Sequence, residues 1–185
     1  MNLPTRKLKA FIRTLRQKYP PPLFVPEFEY ANGGDDAEIL FLFEKPGRMT
    51  DSRNTHNGVR GSGKVSQFNP DKTAEAVKRF LKRARIDTRN VILWNVVPAW
   101  NGTRAITSND LRLAERDVTA LLKILKSLKT IILVGSKAAR LSTQIDLSKY
   151  NLGYSLHPSP LNRASRRDEW DRIPNVWRSI VSRSR

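Results

Sequence analysis

Glu38-Ile39-Leu40-Phe41-Leu42-Phe43 decides the fold. A short run that is apolar at every position after the first has no solvent face. It reads as a strand buried on both sides, as in a parallel sheet covered by helices above and below. The pattern recurs. Val91-Ile92-Leu93-Trp94 forms the centre of a second run over 90–97, and Thr130 to Val134 is a third. Leu152 to Leu156 is a fourth, shorter one.

Helical spacing fills the intervals. Leu8, Phe11, Ile12 and Leu15 predict an amphipathic helix from Leu3 to Lys18, stopped by Pro20-Pro21-Pro22. Pro20 to Asn32 reads as extended or irregular. Asn69 is a candidate cap, with Pro70 at the first position, for a helix to Arg85 that buries Ala74, Val77, Phe80 and Leu81. Ser108 is a candidate cap for a helix from Asp110 to Leu128, its inner face Leu111, Val118, Leu121, Leu122 and Leu125. Gly135-Ser136 opens a short helix through Leu141, and a last helix is expected over Arg166 to Ser182. Strands alternating with helices predict an α/β fold: a three-layer α/β/α sandwich around a mostly parallel four-stranded sheet. One domain is expected over residues 1–185, with 1–35 as an N-terminal helix and extended segment.

Composition narrows the function. With 34 Lys and Arg against 17 Asp and Glu, the net charge is +17, which favours a polyanionic partner, most often nucleic acid. There are no cysteines, so disulfides, thiolate zinc sites and iron–sulfur clusters are excluded. No cofactor or metal is expected. No run approaches the length of a membrane span, and Met1 to Lys18 lacks the apolar core of a secretory signal. The expectation is a monomer that binds DNA, in a cytoplasmic, nucleoid-associated or nuclear location and not secreted.

In an open α/β sheet, ligands bind at the carboxyl ends of the strands. Three such ends carry candidate chemistry. After the fourth strand stands His157-Pro158-Ser159-Pro160-Leu161-Asn162-Arg163. Two prolines fix the backbone there and make a rigid turn with a histidine at its start, an apolar tip and a basic flank of Arg163, Arg166 and Arg167. The plain alternative is a proline-rich turn with a surface histidine. The first strand ends in Phe43-Glu44-Lys45-Pro46-Gly47, where Glu44 is either a catalytic carboxylate or one that pairs with an arginine. The second ends in Leu93-Trp94-Asn95-Val96-Val97-Pro98. The Asn95 amide offers a donor and an acceptor, which suits a base edge or, equally, nearby backbone groups.

These segments resemble the motifs of the uracil-DNA glycosylase superfamily. His157 to Leu161 matches HPSPL of its HPSPLS motif, with Asn162 in place of the last Ser. Phe43 to Gly47 is similar to GEAPG of the iron–sulfur branch and to GQDPY of another, with Lys45 where the latter has its aspartate. The Asn95 segment is similar to the TNVV-type segment of the iron–sulfur branch, although the absent cysteines make this a cluster-free member. The resemblance implies hydrolysis of the N-glycosidic bond of a flipped damaged base, with uracil expected. By that resemblance Glu44 would position water, Asn95 would read the base and His157 would stabilise the leaving base. Leu161 would enter the duplex as a wedge, Ser159 would hold a phosphate supported by Arg163, and Lys45 would turn to a phosphate. Phe68 would stack on the base; its alternative is a staple packed on its own helix, and His56 and Trp100 are other candidates. An inactive DNA-binding protein on the same fold and a basic RNA-binding module are the rival functions.

Gly58 to Lys64 has the G-x4-G-K spacing of a phosphate-binding loop, but Val65 replaces the Ser or Thr that would hold magnesium. The long segment from Lys45 to Gln67 is expected to be functional or mobile.

Overall fold

The computed structural model describes residues 6–29 and 31–183. Leu3, the expected start of the first helix, lies outside them. The chain runs α1 (Arg6–Lys18), β1 (Glu27–Phe28), β2 (Ile39–Phe43), β3 (Thr55–His56), β4 (Val59–Arg60), β5 (Lys64–Val65), α2 (Lys72–Ala84) and β6 (Val91–Asn95). It continues through α3 (Ser108–Ile124), β7 (Thr130–Val134), α4 (Ser136–Ala139), β8 (Asn151–Ser155), α5 (Pro160–Ser165) and α6 (Arg167–Ser182).

The four apolar runs form one sheet in the order β6-β2-β7-β8, parallel throughout. Every residue of β2, β6 and β7 is buried, as runs without a polar face demand. Alternation along the strands sends successive side chains to opposite faces. Phe41 meets Trp177 of α6 edge-on at 4.7 Å, and Phe80 of α2 meets the same ring at 5.9 Å. On the other face Trp94 packs against Phe11 of α1 at 6.2 Å and Phe28 at 4.2 Å. Helices α2 and α6 therefore cover one face, α1 and α3 the other. Truncating one of these rings to alanine costs about 3–5 kcal/mol. The second face is also tied by Asp117 of α3, which accepts hydrogen bonds from Lys18 Nζ and Tyr19 Oη, both at 2.6 Å.

Three local expectations are corrected. Helix α2 starts at Lys72, capped by Asp71, whose carboxylate accepts from the N–H groups of Thr73 and Ala74 at 2.9 Å. Asn69 instead bonds Ser62 Oγ and the Lys64 carbonyl. Helix α3 is capped by Thr107, not Ser108, in a reciprocal capping box with Asp110. Helix α5 stands where a simple rigid turn was expected: Ser159 is its cap and Pro160 its first residue.

The Lys45–Gln67 segment is knit rather than structureless. Strands β3 and β4 pair as a hairpin, and β5 pairs with β1. Asp51 is buried and grips Arg53 at 2.8 Å, and Arg53 reaches on to the Pro22 carbonyl. Lys64 opens strand β5 and not a helix, so the segment lacks the context of a phosphate-binding loop.

Candidate active site

The strand order sets the site. From β2 the chain crosses to β6 on one side, whereas from β7 it moves to β8 on the other. The crevice of such a sheet opens where the direction reverses, at the carboxyl ends of β2 and β7. A groove of about 1680 Å³ lies there.

Glu44 stands at the mouth of this switch point. One carboxylate oxygen accepts the Lys137 N–H at 2.9 Å, at the start of α4. Gly135, at the end of β7, makes room for it. A Cβ on Gly135 would lie 2.5 Å from Glu44 Oε1, and its φ of +99° is one that side chains rarely adopt. The other carboxylate oxygen has no hydrogen-bond partner among the described residues.

Asn95 ends β6, in register with Phe43 of β2. Its neighbour Val96 donates its N–H to the Phe43 carbonyl, which locks the two strand ends together. Asn95 is 4% exposed and lines the groove. Its amide makes no hydrogen bond among the described residues. Its donor and its acceptor are both open to a polar ligand in the groove.

His157 follows β8 on the opposite wall, its ring 5.9 Å from that of Phe43 and edge-on to it. Burial pushes its pKa down to about 4, and the positive charge of Arg104 adds to this. The imidazole is therefore neutral at pH 7, with one N–H to donate. Asn162 explains the departure from the final Ser of HPSPLS: its amide donates to the His157 carbonyl at 2.8 Å and closes the loop across α5.

The rim differs in character. Leu161 is 76% exposed and Phe68 54%, and both line the groove. Phe68 is more than half exposed, and the Lys78 ammonium of α2 sits 5.2 Å from its ring centre. His56 accepts from Arg48 at 3.1 Å on the exposed hairpin, and Trp100 is buried in a bridge to Phe24. Ser159 lines the groove while its Oγ accepts the Asn162 N–H at 3.3 Å. Lys45 also lines it, and its Nζ donates to the Ala105 carbonyl at 2.8 Å. Arg166 lies at the edge, paired with Glu169 at 2.7 Å. Arg167 pairs with Asp171 at 2.9 Å and Arg163 stacks over Trp170, both beyond the groove wall. Such exposed pairs are worth at most about 1 kcal/mol, so a phosphate can replace them.

The sequence reading therefore brings Glu44, Asn95 and His157 together, with Lys45, Phe68, Ser159, Leu161 and Arg166 around them. It missed Gly135, Lys137 and Arg104, which act on Glu44 and His157 through space. The Gly-Ser opening of α4 was the one signal for the first of these. Among the described residues no cluster of metal-ligating side chains occurs, and no helix is long and apolar enough to cross a membrane.

The fold is a parallel α/β sheet that gathers an unpartnered amide, a carboxylate and a neutral imidazole around one crevice. The family model of the uracil DNA glycosylase superfamily matches residues 30–180, and the chain belongs to that superfamily. Among solved structures it is similar to a candidate uracil DNA glycosylase from Methanosarcina acetivorans, at 18% identity and a TM-score of 0.48 over 79% of this chain and 92% of that one. It is also similar to a variant of mimivirus UNG in complex with UGI, at 13% identity and a TM-score of 0.49 over 86% of this chain and 72% of that one. No curated protein matches.

Proposed function

We propose that the protein is a DNA repair glycosylase that hydrolyses the N-glycosidic bond of a base flipped out of DNA, and that the base is uracil. The carrying observation is Asn95, a largely buried residue whose amide makes no hydrogen bond among the described residues, lining a groove that also holds Glu44 and His157. An amide supplies a donor for uracil O4 and an acceptor for N3–H. The neutral His157 donates to the negative charge that develops on the departing base, a contribution of about 10²–10³ in rate. The unbonded oxygen of Glu44 holds the attacking water. Leu161 fills the place of the flipped base, Phe68 stacks on it, and the basic rim takes the phosphates.

A second reading, a DNA-binding protein without activity, is favoured by one observation: Lys45 occupies the position where a related motif carries aspartate. A gel assay on a duplex with a single uracil, followed by alkali, separates the two. Alkali-dependent cleavage at the uracil is expected. Binding without base release from uracil, hypoxanthine or mismatched bases would leave the second reading standing.

A further inference from the structure

We propose that Lys45 gives this chain a second activity: its amine forms an imine with the aldehyde of an abasic site, and the DNA strand is then cleaved by β-elimination. The inference rests on the groove receiving a flipped nucleotide. Its test begins from DNA that is already abasic, so it does not depend on base release.

Lys45 follows Glu44 directly on the loop leaving β2 and shares the groove with Asn95 and His157. Its Nζ is held by a neutral acceptor, the Ala105 carbonyl, and it makes no ion pair among the described residues. Its neighbours differ. Lys72 is paired with Glu75 at 3.3 Å, and Lys78 lies over Phe68. A carboxylate partner would hold the proton on an amine, whereas a carbonyl does so only weakly. The residue before Ala105 is Arg104, a further cation on the same wall. Burial pushes the Lys45 ammonium below its ordinary value, with Asp110 opposing. Desolvation and neighbouring cations are what make a lysine nucleophilic toward a carbonyl.

Removal of a base leaves a deoxyribose that opens in part to an aldehyde at C1′. The neutral amine of Lys45 attacks C1′, forming the N–C bond. The former carbonyl oxygen takes two protons and departs as water, leaving a protonated imine. Glu44, with one oxygen fixed by Lys137 and the other free, accepts the C2′ proton. The electron pair so released forms the C2′–C3′ double bond and expels the 3′ phosphate. Water then hydrolyses the imine, returning Lys45 and an unsaturated aldehyde. No oxidant or reductant is consumed.

The experiment incubates the full chain with a duplex containing one abasic site in sodium borohydride, which reduces an imine to a stable amine. A covalent protein–DNA adduct is expected, with the modified peptide mapping to Lys45. Without borohydride, the strand should break with no alkali. Lys45→Arg keeps the charge but cannot form the imine under these conditions. It should lower trapping by about 100-fold while the thermal unfolding midpoint stays unchanged. No borohydride-dependent adduct, an adduct on Lys72 or Lys78, or undiminished trapping by Lys45→Arg would overturn the proposal. An adduct without strand cleavage would overturn the elimination step. Failure to release uracil in the glycosylase assay leaves these outcomes unchanged, so the two readings fall separately.

Discussion

The two ends of the sheet treat polar groups in opposite ways. At the amino ends they are consumed by the fold. Lys129 bonds Glu38 at 2.7 Å, Asn151 donates to the Ile180 carbonyl at 2.6 Å, and the Glu38 carbonyl accepts from the N–H groups of both Lys129 and Thr130. At the carboxyl ends Asn95 and His157 have no hydrogen-bond partner for their side-chain polar atoms among the described residues, and Glu44 uses one oxygen of two. Strands β2 and β8 carry members of both sets. The difference shows where stability is built and where binding capacity is kept, at some cost to stability. Substitutions at the two ends should therefore separate activity from folding.

The largest effect is expected at Asn95. Asn95→Asp replaces the amide donor with a second acceptor facing uracil O4, a repulsion of a few kcal/mol in a dry pocket. Uracil release should fall by about 10³, with relative preference moving toward cytosine, whose N4 donates. Single-turnover rates on matched oligonucleotides measure both. Turnover within a few-fold of the parent would place base reading elsewhere in the groove.

Next comes His157. His157→Ala should lower base release by about 10² with DNA affinity nearly intact, because the imidazole acts on charge that arises in the transition state. His157 also makes a pH prediction. The folded pKa of about 4 lies below the ordinary 6.5, so between these values the unfolded chain holds the extra proton. The contribution is fully present above pH 6.5 and is lost as pH falls toward 4, roughly 3 kcal/mol in all. Urea unfolding across that window should show a slope that His157→Gln flattens. An unchanged slope would mean that the imidazole charges freely in the folded state.

At the other end of the sheet the expected signs reverse. Asn151→Ala should cost about 1 kcal/mol of stability, the usual worth of one hydrogen bond, and leave base release unaltered. Lys129→Ala should cost less, within about 1 kcal/mol, because its pair with Glu38 is exposed. Chemical denaturation and the uracil assay, run side by side, check both. A loss of activity from either would show that the two ends are coupled.

Much of this was legible because local patterns cause local structure. Apolar runs without a polar face had to become buried strands, and β2, β6, β7 and β8 lie within a residue or two of where those runs predicted. The candidate site residues could be found because each motif stands at a strand end. Caps were less legible. Asn69 and Asp71 at one helix, and Thr107 and Ser108 at another, are good cap types within two residues of each other, and which one caps depends on what else competes for its side chain. Asn69 is taken by Ser62 and Lys64, a contact made by a hairpin that periodicity does not reveal.

The sequence by itself determined the layer composition, the cationic character and the residues gathered at the strand ends. Tertiary structure alone decided the order β6-β2-β7-β8, and so which two strand ends frame the crevice. It also decided that Gly135 yields its space to Glu44 and that burial, with Arg104 adding to it, keeps His157 neutral. The physical reason is that an apolar run specifies burial but not its neighbour. The charge state of a side chain is set by groups far along the chain that only the folded backbone brings within range.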